Sequence, residues 1–258
     1  MDVKIKQGRV ESEPADLLVL SHFEGETALR QETAAVDRAL RGGIHDLLKS
    51  GEFEGKLNQT VVLHTQGRIP ARRVLLVGLG KKKDARLDTV RQASASAAKR
   101  ARQTGSSSFA TLLHASALPH TTTIELAQAM TEGAILGNYQ FTVYRSNQSE
   151  EPKALQRMTV VDPRADQLAD IKQGVHQGRV SAEATWLVRD LCNHPSNVMT
   201  PARLAAEARK IAREDGLRVR ILERGAMEKL GMGALLGVAR GSHEPPKFII
   251  LEYRRNSP

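Results

Sequence analysis

The groups in this chain that could hold a metal or move a proton are eight histidines, one cysteine and the acidic residues. The histidines are His22, His45, His64, His114, His120, His176, His194 and His243. No pair stands in the His-Glu-x-x-His spacing that puts two imidazoles on one helical face with a base between them. His194 and His243 lie in loop motifs and read as ordinary polar loop residues. Cys192 ends a helical stretch, where a small buried side chain is expected rather than a nucleophile. No Gly-x-Ser-x-Gly run occurs, so a serine elbow is absent. Gly78-Leu-Gly80, followed by Lys81 to Lys83, has the start of a dinucleotide turn. Lys83 stands where the third glycine belongs, so a plain strand-to-loop turn is expected. Asp37 and Glu24 show no pairing that spacing reveals. No residue is assigned as catalytic, cofactor-binding or metal-binding.

The elements that would position any site alternate between strand and helix. Strands are expected at Val3 to Lys6, Asp16 to Ser21, Thr60 to His64, Arg73 to Gly78 and Phe109 to His114. Glu26 to Leu40 carries apolar residues at helical spacing and is closed by Gly42-Gly43. Leu87, Val90, Ala93, Ala97 and Ala101 mark a second helix, closed by Gly105, and Thr121 to Thr123 offer cap oxygens for a third. Ser146 to Pro152 reads as a loop, Met158 to Asp162 as a strand and Gln167 to Cys192 as a long helix. Thr200-Pro201 caps a helix that Gly216 stops. Leu217 to Leu222 alternates as a half-buried strand does, Met232 to Ala239 is small and apolar, and Phe248 to Tyr253 reads as a buried strand. Asn193, Pro195 and Asn197 are expected to fix a tight turn between two helices. Strands and helices in this alternation predict an α/β layered domain.

Hydrophobic residues make up 40% of the 258, enough for a core, and aromatics only 3%, so Leu, Val, Ile and Ala must fill it. A single cysteine rules out an internal disulfide framework. Met1 to Val10 shows no apolar signal region, and no apolar run reaches the length of a membrane span, so a cytoplasmic location without membrane contact is expected. The net charge of +9 is dispersed along the chain with no interleaved aromatics, which favours solvated charge over a nucleic-acid patch. The apolar strand at Phe248 to Tyr253 has too few elements before it to cover both its faces. Four unburied apolar side chains would forfeit roughly 1.5–3 kcal/mol each. Either another chain completes that sheet or this chain is a fragment.

Arg189-Asp-Leu-Cys-Asn-His-Pro-Ser-Asn-Val-Met-Thr-Pro201, Leu230-Gly-Met-Gly-Ala-Leu-Leu-Gly-Val-Ala-Arg-Gly-Ser242 and Glu244-Pro-Pro-Lys-Phe-Ile-Ile-Leu-Glu-Tyr253 together resemble the leucyl aminopeptidase (cytosol aminopeptidase) family. Phe23-Glu-Gly25, Gly51-Glu-Phe-Glu-Gly-Lys56, Arg73 to Lys81 and Glu132 to Phe141 are similar to its N-terminal domain. The resemblance runs from about Asp16 to Tyr253. It implies a macro-domain-like three-layer α/β/α N-terminal domain over residues 1–150, a linker strand and helix over 151–178, and an incomplete α/β peptidase domain over 179–258.

The same resemblance implies an exopeptidase that releases N-terminal residues, often leucine, from peptides with two divalent metals (zinc, manganese or magnesium), as a homo-hexamer in full-length form. The family's metal-binding lysine lies in a Gly-Lys-Gly segment just beyond the Leu-Glu-Tyr strand. Its other ligands and its catalytic arginine follow later, some in an Asn-Thr-Asp-Ala-Glu-Gly-Arg motif. Here Tyr253 is followed by Arg254-Arg-Asn-Ser-Pro258, so none of those residues has a position to map onto. The expectation is a C-terminally truncated chain with no cofactor of its own, inactive alone. Rival expectations from another class are DNA binding through the basic N-terminal domain and ADP-ribose binding by the macro-like fold.

Overall fold

Leu17–His22 (β2) and Arg73–Gly78 (β4) are near-continuous apolar runs, the pattern of strands covered on both faces. In the computed structural model, which describes residues 1–114, 118–146 and 154–254, they lie side by side in the middle of a six-stranded sheet. The other strands are Asp2–Gln7 (β1), Thr60–His64 (β3), Ser108–Thr111 (β5) and Arg157–Asp162 (β6). The order is β1-β6-β5-β2-β4-β3, with every neighbouring pair parallel except the antiparallel β3–β4 edge.

Successive residues of a strand face opposite sides, and the core divides accordingly. Leu17, Val19, Leu75, Val77, Phe109, Met158 and Val160 face one layer, built from Leu87–Gln103 (α3), Thr123–Asn138 (α4) and Leu168–Asn193 (α5). Leu18, Leu20, Val74, Leu76, Ala110 and Val161 face the other, built from Gln31–Ala39 (α1) and Gly43–Ser50 (α2). The α/β layered class expected from the sequence is what the chain adopts. One helix was not expected from the sequence. Within Glu26 to Leu40 the helix is α1, which ends before Gly42 as expected; Gly42 turns left-handed (φ 87°) and Gly43 opens α2, with Asp37 Oδ1 accepting from the amides of Ile44 and His45.

Helices α3 and α4 each return from one parallel strand to the next, so they run in a common direction, and α5, which follows β6, packs against α4. They pack almost backbone to backbone. A Cβ on Gly133 of α4 would lie 2.1 Å from the Arg91 carbonyl oxygen, and one on Gly137 would lie 2.6 Å from that of Ala95. Gly174 and Gly178 of α5 meet the Ile124 and Gln128 carbonyls of α4 in the same way, at 2.2 and 2.6 Å. Arg91 reaches across from α3 to Glu132 at 2.5 Å.

A reciprocal cap starts α4. Thr122 Oγ1 accepts from the Glu125 amide at 3.2 Å, and Glu125 accepts from the Thr122 amide at 2.8 Å. These hydrogen bonds hold the Glu125 carboxyl below the usual carboxylate range. Thr122→Ala is expected to cost about 1 kcal/mol. That would appear as a melting temperature lowered by roughly 2–4 °C, and an unchanged melting curve would refute the role.

The chain divides into two compact units, Met1–Trp186 and Leu187–Pro258, with the division inside α5. The second unit contains Pro201–Glu214 (α6), Arg218–Leu222 (β7), Arg224–Lys229 (α7), Gly233–Ala239 (α8) and Phe248–Glu252 (β8). Thr200 caps α6 by accepting from the Arg203 amide, with Pro201 in the first turn. Strands β7 and β8 pair antiparallel. β8 is half-buried to exposed, which corrects the expectation of a buried strand: it has a neighbour on one side and no layer closing both faces. The loop expected at Ser146 to Pro152 lies, after Ser146, outside the described residues. Among the described residues no helix is long and apolar enough to cross a membrane.

Candidate functional site

Strands β2, β5 and β6 all end at the same edge of the first unit. From β2 the chain moves to β4 on one side of it, then crosses to β5 on the other. Crevices at such a reversal, beyond the carboxyl ends of the strands, are where open α/β sheets bind ligands. Here the edge carries Ser21 from β2, Leu112 and Leu113 after β5, and Asp162, Pro163 and Arg164 at the end of β6, facing Arg30, Glu32 and Thr33 at the start of α1. An adjoining cleft of about 490 Å³ continues between Gly8–Glu11 and the outer side of α1.

Two ion pairs lie along this edge. Arg164 grips buried Asp162 with two parallel contacts, Nε to Oδ1 at 3.0 Å and Nη2 to Oδ2 at 2.9 Å. That fork raises the Arg164 pKa further above its ordinary value. Arg9 pairs with Glu11 at 2.6 Å. Neither Asp162 nor Arg164 was singled out from the sequence. Two charged residues spaced i, i+2 in a turn carry no signal until the strand end places them.

The histidines are scattered. His22 is buried, with Nε2 2.8 Å from the Glu26 carbonyl oxygen. His45, His64, His120, His176 and His243 are exposed and His194 is half-exposed. His114 is buried after β5, and burial pushes its imidazole down to about 4, the Arg30 guanidinium adding in the same direction. The folded state thus refuses a proton that the unfolded chain accepts below about 6.5. Neutral His114 contributes fully above that pH, and its contribution is lost as pH falls from 6.5 through 4, on the order of 3 kcal/mol in all. Urea midpoints measured at pH 7 and pH 4.5 are expected to fall, and His114→Gln to flatten the fall. An equal fall in the variant would refute this.

The glycines of Gly78-Leu-Gly80 serve packing. A Cβ on Gly78 would sit 1.9 Å from the Lys56 carbonyl oxygen. The Gly80 amide donates to Gly55 at 2.9 Å, and the Gly80 carbonyl accepts from Glu24 at the same distance. Three family-like segments, 23–25, 51–56 and 78–80, are thereby locked together. Pro195 closes a tight turn between α5 and α6, its carbonyl accepting from Val198 and Met199 at 2.9 Å each. Cys192 is exposed, against the expectation of a buried side chain, because α5 presents that position outward near its end.

Among the described residues no group of three or more His, Cys, Asp or Glu side chains comes together to hold a metal ion.

Residues 19–148 match the model of the N-terminal domain of the cytosol aminopeptidase family, and residues 186–258 match that of its catalytic domain. The chain belongs to the cytosol aminopeptidase family. A probable cytosol aminopeptidase from Alkaliphilus oremlandii is 35% identical over 257 residues, which are 99% of this chain and 51% of that protein. One from Geobacter sp. strain M21 is 40% identical over 239 residues, 92% of this chain and 47% of its own length. A mutant tomato leucine aminopeptidase is similar in structure with a TM-score of 0.86 at 26% identity, over all of this chain and 52% of that one. The bottromycin maturation enzyme BotP, described in complex with Mn, superposes with a TM-score of 0.74 at 27% identity, over 94% of this chain and 46% of its own. The chain spans about half the length of the cytosol aminopeptidases it matches.

Proposed function

We propose that this chain is the amino-terminal scaffold of a two-metal aminopeptidase that releases N-terminal residues, leucine among them, from peptides. The supporting observation is a contrast. Both family domains are matched along the chain, yet the described residues gather no ligand set for a metal. The zinc, manganese or magnesium pair would be held by residues of the half of the relatives that this chain does not span. Such a pair lowers the pKa of a bound water and polarises the scissile carbonyl. The reading extends to a cytoplasmic homo-hexamer in the full-length form, with residues 1–150 as a macro-like domain, 151–178 as linker and 179–258 as the opening of the catalytic domain. Basic residues are dispersed over both units, so DNA binding gains nothing from their placement.

A chimera tests this. Joined at its C-terminus to the half of the Geobacter relative that it does not span, the chain is expected to cleave leucine-p-nitroanilide with manganese. A folded chimera that binds two metal ions and releases no product would sink the proposal.

A further inference from the structure

The lysines that follow Gly80 enter a short 3-10 turn through their backbones, and their side chains stay exposed. Lys82 and Lys83 border a cleft of about 600 Å³ at the C-terminal edge of the sheet, between the link from β4 to α3 and the segment that leads into α4. Its floor is apolar, formed by Ala85, Leu87, Leu118 and Pro119. Its rim is cationic. Lys82 donates to Glu26 at 3.1 Å, whereas Lys83 and Arg86 meet no carboxylate among the described residues. The Arg86 guanidinium is held in place by donating to the carbonyls of Lys83 at 3.3 Å and Ala85 at 2.9 Å, contacts that fix its position without neutralising its charge. Asp88, the carboxylate of the lining, is engaged by Gln92 at 2.6 Å. Helices α3 and α4 run in a common direction, so both add positive potential at this end.

We propose that this cleft binds a phosphate-bearing small molecule with a flat apolar body, of the class of a nucleoside diphosphate. A guanidinium held by two carbonyls beside an exposed ammonium matches phosphate oxygens, the first as a planar fork and the second as a point charge. The volume lies in the range of small-molecule pockets, and the apolar floor suits a ring. Among the described residues no Phe, Tyr or Trp lines the cleft and His120 is the one imidazole there, which favours a small ligand over a single-stranded nucleic acid tracked by stacking. The site uses neither the metals nor the peptide chemistry proposed above, and its test is independent of them.

The amide spectrum of the ¹⁵N-labelled chain is titrated with ADP, adenosine and inorganic phosphate. ADP is expected to shift resonances at Lys83, Arg86, Leu87 and Thr121, with adenosine and phosphate each at least about tenfold weaker. Lys83→Ala combined with Arg86→Ala is expected to weaken ADP at least about tenfold, while Lys49→Ala, on a different cleft, leaves it unchanged. If the Arg86 change disturbs the start of α3, the single Lys83→Glu variant serves, since Lys83 is an exposed residue ahead of the helix. No shift in the cleft at about millimolar ADP, undiminished ADP binding in Lys83→Glu, or preferential binding of an oligonucleotide would each overturn the proposal.

Discussion

Incubated with leucine-p-nitroanilide and manganese or zinc, the purified 258-residue chain is expected to release no product above the metal-only blank. The size of the deficit follows from where the rate enhancement comes from. In a two-metal peptidase the ions generate the nucleophile and stabilise the charge that develops on the carbonyl oxygen. A chain whose described residues gather no ligand set is expected to forfeit both contributions together. The expected activity is at least about 10⁶-fold below that of an active enzyme, since accelerations of that order are the lower end for enzymes in general. Equilibrium dialysis should find less than one manganese or zinc ion bound tightly per chain. Turnover that follows the chain through purification and disappears with a chelator would refute this.

The second large effect is expected at Gly133. Alanine there would place its Cβ 2.1 Å from the Arg91 carbonyl oxygen and 2.8 Å from the Arg91 Cα and carbonyl carbon. All three are backbone atoms of a packed helix, so no side chain can swing aside. Helices α3 and α4 must separate, and the core they share with the sheet opens. The cost is expected to reach about 3 kcal/mol or more. In a unit of this size that lowers the melting temperature by roughly 6–12 °C. Gly8→Ala is the comparison, because its Cβ would meet only the Val161 side chain at 3.9 Å. That change should stay within about 0.5 kcal/mol. Equal melting temperatures for the two variants would show that the helices yield, and the account of tight packing would fail.

The parts of the fold that were legible are those written in one local pattern. β3 and β4 fall at Thr60–His64 and Arg73–Gly78 as expected, because apolar runs bounded by polar turns have one reading. The start of α6 is equally clear from Thr200-Pro201, where cap and fixed φ agree. β5 is shorter than the run from Phe109 to His114, since Leu112 to His114 turn away at the strand end while remaining largely buried. Helix α2 was hidden because glycine signals a stop and says nothing of a restart; Asp37 supplies the new cap from seven residues back. The glycines at 133, 137, 174 and 178 are contact points between helices, which only tertiary packing reveals. The candidate site was least legible. The Arg164–Asp162 fork and the Lys83–Arg86 rim depend on strand ends and helix starts brought together across the sheet.

Cys192 lies exposed near the end of α5 and is the chain's single cysteine. One maleimide reagent would therefore attach a fluorophore or spin label at one defined place without any mutation. Left in air without reductant, the same sulfur can join two copies through a covalent bridge, visible as a doubled mass on a non-reducing gel.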